Sequence, residues 1–459
     1  MSGKAGTQRD GMLWFETALL ENGWAERVAI EFADGRIARI ETGVSPARGA
    51  EAHSIAIPGL CNLHSHAFQR GMAGLAETRG PASDDFWTWR EVMYHFLDRL
   101  TPDDVEAIAA LAYIEMLETG FTRVGEFHYL HCDAMGHPYD DAAEMASRIA
   151  AAAGTTGIGL TLLPVFYAHG NFGGTPPAPG QRRFLTDIDS FARLMEASGR
   201  AIAHLPDANL GVAPHSLRAV TPQELAAVVG LAPGGPVHIH AAEQVKEVND
   251  CLAWSGARPV EWLLDRAGVD CAWCLVHATH MTADECKRLA GSGAVAGLCA
   301  ITEANLGDGI FPAQDYLRDE GRFGIGTDSN VRISAGEELR GLEYAQRLEH
   351  RSRNCWPGAS GESTGRSLFD GALAGGARAL GQSHYGLKVG ASADVISFDR
   401  DDSALAGRTG DRLLDSWIFA GAGVDCVWRG GRKVVAAGRH CARDSVVARY
   451  RRTLSQLLQ

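Results

Sequence analysis

The segment IPGLCNLHSHAFQRG (57–71) sets His64 and His66 one residue apart at the end of an apolar run. In extended backbone, side chains two apart share a face, so both imidazoles can converge on one point. Alone the pair is a weak signal, since two loop histidines are commonly just solvated. Its company changes that. VHIHAAE supplies His240 and, three residues on, Glu243; LVHATH supplies His277 and His280; GIGTDSN supplies Asp328. Three imidazoles and a carboxylate suit one borderline divalent cation, zinc by default, with iron, nickel or manganese as alternatives. Such a cation lowers the pKa of a bound water to about 7, which makes hydroxide available at neutral pH. A nearby carboxylate can then carry protons between that water and a leaving group. Glu243, just past the strand that carries His240, is placed for this. His277 is preferred to His280 because it follows directly on its apolar run. His238 shares the face of His240 but lies deeper, and reads as a core or supporting residue.

These side chains can meet only if their strands are neighbours. Strand-like segments alternate with helical ones through the middle of the chain. SIAIPGL, TRVGEFH, GIGLTLLPVF, NLGVAP, PVHIHA, WCLVHA, AVAGLCA and RFGIGTD make eight. Thr101-Pro102 and Thr221-Pro222 each offer an N-cap followed by proline at the first helical position. Thr282 with Glu285 makes a capping box, and Gly120 ends the helix begun after Thr101. Eight such units with nearly continuous apolar strands predict a parallel (β/α)8 TIM barrel. The histidines and Asp328 then fall at the C-terminal ends of strands one, five, six and eight, where barrel active sites are built. A doubly wound sheet is the weaker alternative, because no glycine-rich phosphate fingerprint accompanies the strands.

Both ends of the chain read differently. Asp34-Gly35 between two alternating segments signals a hairpin, and GLKVGASADVISFD and VDCVWRGGRKVVAAGRH read as short strands joined by glycine-rich turns. The expected organisation is a small β-sandwich built from residues 1–57 and 385–459, the latter including the C-terminal tail, around a barrel over 58–384. GGTPPAPG (173–180) reads as a loose exposed loop. Residues 68–100 are a connection long enough to close over the barrel mouth.

Composition sets the outer limits. Of 459 residues, 46% are hydrophobic and 22% charged, the balance of a globular protein. The net charge of −13 argues against nucleic acid as a main partner. No apolar run reaches the roughly 18 residues of a membrane span, and MSGKAGTQRDG lacks the apolar centre of a signal peptide. A cytoplasmic protein with no membrane partner is expected. The 10 cysteines lack disulfide-scaffold spacing, and the CAWC pair at 271–274 has no second pair to complete a zinc site. They read as reduced thiols.

At the histidine and carboxylate segments the sequence resembles the amidohydrolase superfamily. GLKVGASADVISFD looks like that superfamily's usual return into its sandwich. Glu243 three residues after the fifth-strand histidine, with no bridging lysine in the third or fourth strand, matches its mononuclear deaminase branch. Within that branch GLCNLHSHAFQRGMAGLAE, FWTWREVMYHF, EFHYLH, GVAPHSLRAV and GTDSNVRISAGEELRGLEYAQR are similar to the formiminoglutamate iminohydrolases. In EFHYLHCD, Cys132 stands where a histidine is expected.

The resemblance implies His64, His66, His240 and Asp328 as ligands of one divalent metal ion, and Glu243, His277 and Asp328 as the catalytic groups. It implies a small anionic amidine as substrate, a formimino group on the amine of glutamate, hydrolysed to the formyl compound and ammonia. A homodimer is expected. The two glutamate carboxylates call for arginines and neutral donors, for which Gln69, Arg90, Tyr129, His215 and Arg218 are the candidates. Trp87 and Trp89 read as packing, and Arg70 as a surface charge. Two rivals stand beside this reading. One is another deaminase of the branch, acting on guanine or a related purine or pyrimidine, which would want aromatic stacking surfaces and few cations. The other is a catalytically inactive barrel used as a binding scaffold, which would have lost its ligands first.

Overall fold

The alternating N-terminal residues form β1 (Arg9–Leu20), β2 (Gly23–Ala33), β3 (Arg36–Glu41) and β4 (Glu51–Pro58) in a computed structural model of the chain. The structure describes residues 9–48, 50–80, 84–356, 358 and 360–459, so most of MSGKAGTQRDG lies outside them. Asp34 (φ 53) and Gly35 (φ 72) make the expected hairpin turn between β2 and β3.

The next strands are β5 (Leu60–Ser65), β6 (Phe121–His128), β7 (Gly159–Phe166), β8 (Asn209–Leu210) and β9 (Ala213–Pro214). They are followed by β10 (Val237–Ala241), β11 (Trp273–His277), β12 (Val295–Leu298) and β13 (Arg322–Ile325). These pair in parallel in the order β10-β11-β12-β13-β5-β6-β7-β8, with β9 also on β7. Bridges from Val212 to Val237 and from Ser216 to His240 close the ring. With β8 and β9 counted as one interrupted strand, the eight-stranded parallel barrel stands as the sequence predicts.

Two strand assignments need correction. SIAIPGL does not form the first barrel strand. Its first five residues belong to β4, in the other sheet, and the barrel begins at Leu60. Pro58 ends β4, and Gly59 turns the chain where a Cβ would come within 2.3 Å of the Thr122 side chain. NLGVAP is broken at Gly211-Val212 into β8 and β9.

Helix boundaries follow their caps. The connection at 68–100 is not an open loop but carries helix α1 (Phe86–Leu97), while its residues 81–83 lie outside the described ones. Next comes α2 (Pro102–Glu118), whose cap Thr101 shares a capping box with Asp104. Thr221 and Thr282 cap helices Pro222–Val229 and Ala283–Ser292 in the same way. Residues 173–180 are mostly exposed, as expected, although a Cβ on Gly180 would meet the Tyr94 ring at 2.5 Å.

The chain returns through β14 (Val395–Phe398), β15 (Cys426–Arg429), β16 (Arg432–Ala436) and β17 (Arg439–His440). The second sheet runs β17-β16-β15-β14-β4-β1-β2-β3. The turn at Gly35 nonetheless lies against the turn at Gly430, so the sheet folds over its own core of Phe15, Ile30, Phe32 and Trp428. The two bodies meet at a half-buried ionic seam, its two arginines buried and its shared carboxylate open to solvent. Asp207 accepts from Arg123 on β6 and from Arg429 on β15, each at 2.5 Å, and Arg429 also reaches Asp394 at 3.0 Å. All ten cysteines are free thiols, and among the described residues no helix is long and apolar enough to cross a membrane.

Candidate active site

Four ligand-type atoms meet at the C-terminal mouth of the barrel. His64 Nε2 lies 3.2 Å from His66 Nε2 and 3.1 Å from His240 Nε2. Asp328 Oδ1 lies 3.3 Å from the first and 3.2 Å from the second. Donors at zinc-ligand distance on a tetrahedron stand about 3.4 Å apart, so the spacing fits one divalent cation. The tautomers fit as well. His66 Nδ1 donates to the Phe127 carbonyl (2.9 Å) and His240 Nδ1 to the His215 carbonyl (3.0 Å). That turns the Nε2 lone pairs of His66 and His240 toward His64 and Asp328, the orientation that ligands of one cation take. Burial pushes His64 down to about 3 and His240 well below its usual value, so both rings are neutral, the form that ligates. Burial alone would raise the Asp328 carboxyl, but the His64 and His66 rings outweigh it and hold Asp328 well below the carboxylate range.

The strand ends are shaped for this. Asn62 Oδ1 accepts from the backbone N–H of His64 and of Thr327, tying β5 to the turn after β13. Asn330 Nδ2 donates to Ser65 Oγ, the His66 carbonyl and the Asp328 carbonyl, each at 3.1 Å. A Cβ on Gly326 would lie 2.8 Å from the His64 carbonyl, so only glycine lets the two strands approach here. Ala242, His277, Ala278, Asp328 and Asn330 all take positive φ, between 45° and 69°. Such backbone costs on the order of 1 kcal/mol per residue and clusters at functional sites.

Beside the four ligands stands a second group. His277 Nε2 lies 3.7 Å from Glu243 Oε1 and 3.9 Å from Asp328 Oδ2, while Nδ1 donates to Glu303 Oε1 at 3.2 Å. Burial opposes charge on this ring, but Glu243, Glu303 and Asp328 outweigh it and push His277 up to about 10. Burial raises the Glu243 carboxyl above its usual value. Of the other histidines weighed, His280 donates through Nε2 to the Asp308 carbonyl and His238 to the Ala379 carbonyl, both at 2.8 Å and both away from the ligands.

Gln69, Arg90, Tyr129, His215 and Arg218 all line one cavity of about 60 Å³ that also touches His66, His240, Glu243, His277 and Asp328. Gln69 Nε2 donates to Tyr129 Oη at 2.7 Å. The Nε atoms of Arg90 and Arg218 are buried without hydrogen-bond partners among the described residues, and Arg218 stands 3.9 Å from Glu243. Trp87 packs beneath the Arg90 guanidinium, 4.5 Å from its ring centroid, and Trp89 packs against the core while also lining the cavity. Arg70 is not a free surface charge, for it pairs with Glu115 at 2.6 Å. Cys132 is buried and does not line the cavity.

Sequence reasoning missed Glu303, Asp308, Asn330 and Glu126. Glu126 accepts from the backbone N–H of Ala67 at 2.7 Å, beside His66, and burial pushes it up to about 7. Of the four, only Asn330 had a signal, its place two residues after Asp328.

Residues 55–434 match the model of the Amidohydrolase family, and residues 12–54 that of "Formimidoylglutamate deiminase HutF, N-terminal domain". A formimidoylglutamate deiminase of Pseudomonas aeruginosa is 51% identical, over 97% of this chain and 99% of its own. An 8-oxoguanine deaminase of the same species is 27% identical over 93% and 94%. The crystal structure of an amidohydrolase from Brucella melitensis, 56% identical, superposes with a TM-score of 0.96 over 98% of this chain and 100% of that one. An adenosine deaminase from Xanthomonas campestris with bound zinc, 22% identical, shares the fold with a TM-score of 0.80 over 98% of each chain. With its barrel matched from end to end and a half-identical relative spanning its length, the chain belongs to the amidohydrolase family.

Proposed function

We propose that the chain is a metal-dependent hydrolase that converts N-formimino-L-glutamate to N-formyl-L-glutamate and ammonia, a step of histidine degradation. One observation carries this reading: Arg218, buried, and Arg90, half-buried, each with a buried Nε that has no partner among the described residues, line the same cavity as His66, His240 and Asp328 of the ligand cluster. A substrate with two carboxylates and one amidine satisfies both ends of such a cavity. The half-identical relative bears the matching name.

The donor set favours zinc, and a cation held there supplies hydroxide at neutral pH. Arg90 and Arg218 pair with the substrate carboxylates, with Gln69, Tyr129 and His215 beside them. That orients the formimino carbon over the cluster. Glu243 takes a proton from the attacking water and passes it to the departing nitrogen. The water oxygen bonds to the formimino carbon as the C=N π pair goes to nitrogen. The C–N bond then breaks with its electron pair going to nitrogen, and the remaining hydroxyl proton passes through Glu243 to that nitrogen, so that the carbonyl forms and ammonia leaves. His277, doubly protonated through its acidic neighbours, keeps Nδ1–H on Glu303 and offers Nε2–H to the oxygen where negative charge develops.

Asp328→Ala is expected to abolish turnover and lower metal content. Glu243→Gln is expected to cut kcat by about a hundredfold or more while the metal stays bound. Near-full activity in the Glu243→Gln variant would overturn its proton role. Metal-free protein after gentle purification would instead favour the scaffold reading. Ammonia release from formiminoglutamate and from guanine, assayed side by side, separates the proposed substrate from the purine alternative. Release from guanine alone sinks it.

A further inference from the structure

Asp308 is buried, and nothing in the reaction above uses it. It lies between Gly307 (φ 72) and Gly309 (φ 133), just after helix Ala300–Leu306. A Cβ on Gly309 would press on His280 at 3.1 Å, so glycine permits the turn. The backbone is pinned on both sides, with the Asp308 amide donating to the Glu303 carbonyl (2.9 Å) and its carbonyl accepting from His280 Nε2 (2.8 Å). Oδ1 accepts from the Gln244 side-chain amide, and Gln244 is the residue after Glu243. Oδ2 is buried with no hydrogen-bond partner among the described residues. A carboxyl oxygen of Asp308, one of Glu243 and a ring nitrogen of His277 all lie within 4.8 Å of one another.

We infer that Asp308 is a positioning residue: a neutral acid whose Oδ2–H donates to the Glu243 carboxylate and holds it ready to accept a proton from water. Because Gln244 donates to Oδ1, the acid hydrogen belongs on Oδ2, the oxygen otherwise left bare. Two ionised carboxylates this close in a buried pocket would repel; one neutral and one ionised attract. The groups facing Asp308 are Glu243, His277, Glu303 and Asp328. Burial, and then the charge of Glu243, push it up to about 9, which keeps it neutral at neutral pH. The present separation exceeds a hydrogen bond, as is common for catalytic contacts before substrate closes the site.

The inference rests on Glu243 being the base of the proposed reaction. Its test uses the metal-loaded full chain, Asp308→Asn and Asp308→Ala, with ammonia release followed against pH and metal content measured. Asp308→Ala is expected to lose about tenfold or more in kcat, the scale of a hydrogen bond to a charged group, with KM and metal content unchanged. Asp308→Asn keeps a donor toward Glu243 and an acceptor for Gln244, so it is expected to restore kcat to within about threefold. The unaltered enzyme should lose activity above pH about 9, where Asp308 ionises, whereas Asp308→Asn should hold its activity until His277 deprotonates at about 10. The inference is overturned if the asparagine variant falls as far as the alanine one, or keeps the same alkaline decline. It is equally overturned if alanine raises KM and spares kcat. Should the alanine variant fail to fold, the asparagine pH profile decides alone. If the unaltered enzyme releases no ammonia from formiminoglutamate, the substrate assignment fails instead. The same variants are then compared on whichever amidine or purine it does turn over.

Discussion

Arg218 joins the two halves of the site, for it lines the cavity and stands 3.9 Å from Glu243. A charge-assisted hydrogen bond is worth about 1.5–3 kcal/mol, so Arg218→Ala is expected to raise KM roughly 10- to 150-fold. Lysine should not restore it, lacking the planar fork that matches a carboxylate. Steady-state kinetics check this, and an unchanged KM would mean that Arg218 never meets substrate. Residues of this kind were legible in the sequence because each ligand type ends an apolar run, or sits at a fixed offset from one that does. Glu303 and Asp308 were not. They arrive from a helix and a turn beyond β12, and no period links them to His277 or Glu243.

Among the elements, α1 does the most to enclose the site. Phe86, Trp89, Arg90, Met93 and Tyr94 of this one helix line a cavity of about 60 Å³. That is small beside the roughly 300–1,000 Å³ of typical small-molecule sites. Movement of α1 or its side chains would widen it for substrate. Amide hydrogen exchange in α1 is therefore expected to be faster than in α2 in the free protein, and to slow when L-glutamate is bound. Equal protection of the two helices in the free protein would refute this. Caps made α2 readable to the residue, since Thr101, Pro102 and Asp104 each satisfy a local need. SIAIPGL was not readable in the same way. Both sheets want the same apolar alternation, and only the contact of Gly59 with Thr122 decides where one ends.

At the scale of the whole molecule, the barrel and the terminal sheet were legible from alternation alone, but the seam between them was not. Arg123 and Arg429 reach Asp207 across 84 and 222 residues of sequence, a pairing no local pattern encodes. Asp207→Ala leaves Arg123 without its carboxylate partner and Arg429 with Asp394 alone. It is expected to cost on the order of 2–3 kcal/mol, between an exposed pair and a fully buried one. Urea unfolding checks this, and a loss under 0.5 kcal/mol, roughly a surface substitution, would count against the seam. The order of strands in that sheet has another consequence. β4 lies between β1 and β14, and β14 follows the entire barrel in the chain. During synthesis, at about 5–20 residues per second, the nascent chain therefore displays the open edge of β4 for tens of seconds before its partner leaves the ribosome. A chain released early keeps that edge, a ready template for pairing with a neighbour. The last strands thus act as a mark of completion, and their absence exposes the surface by which an unfinished molecule aggregates.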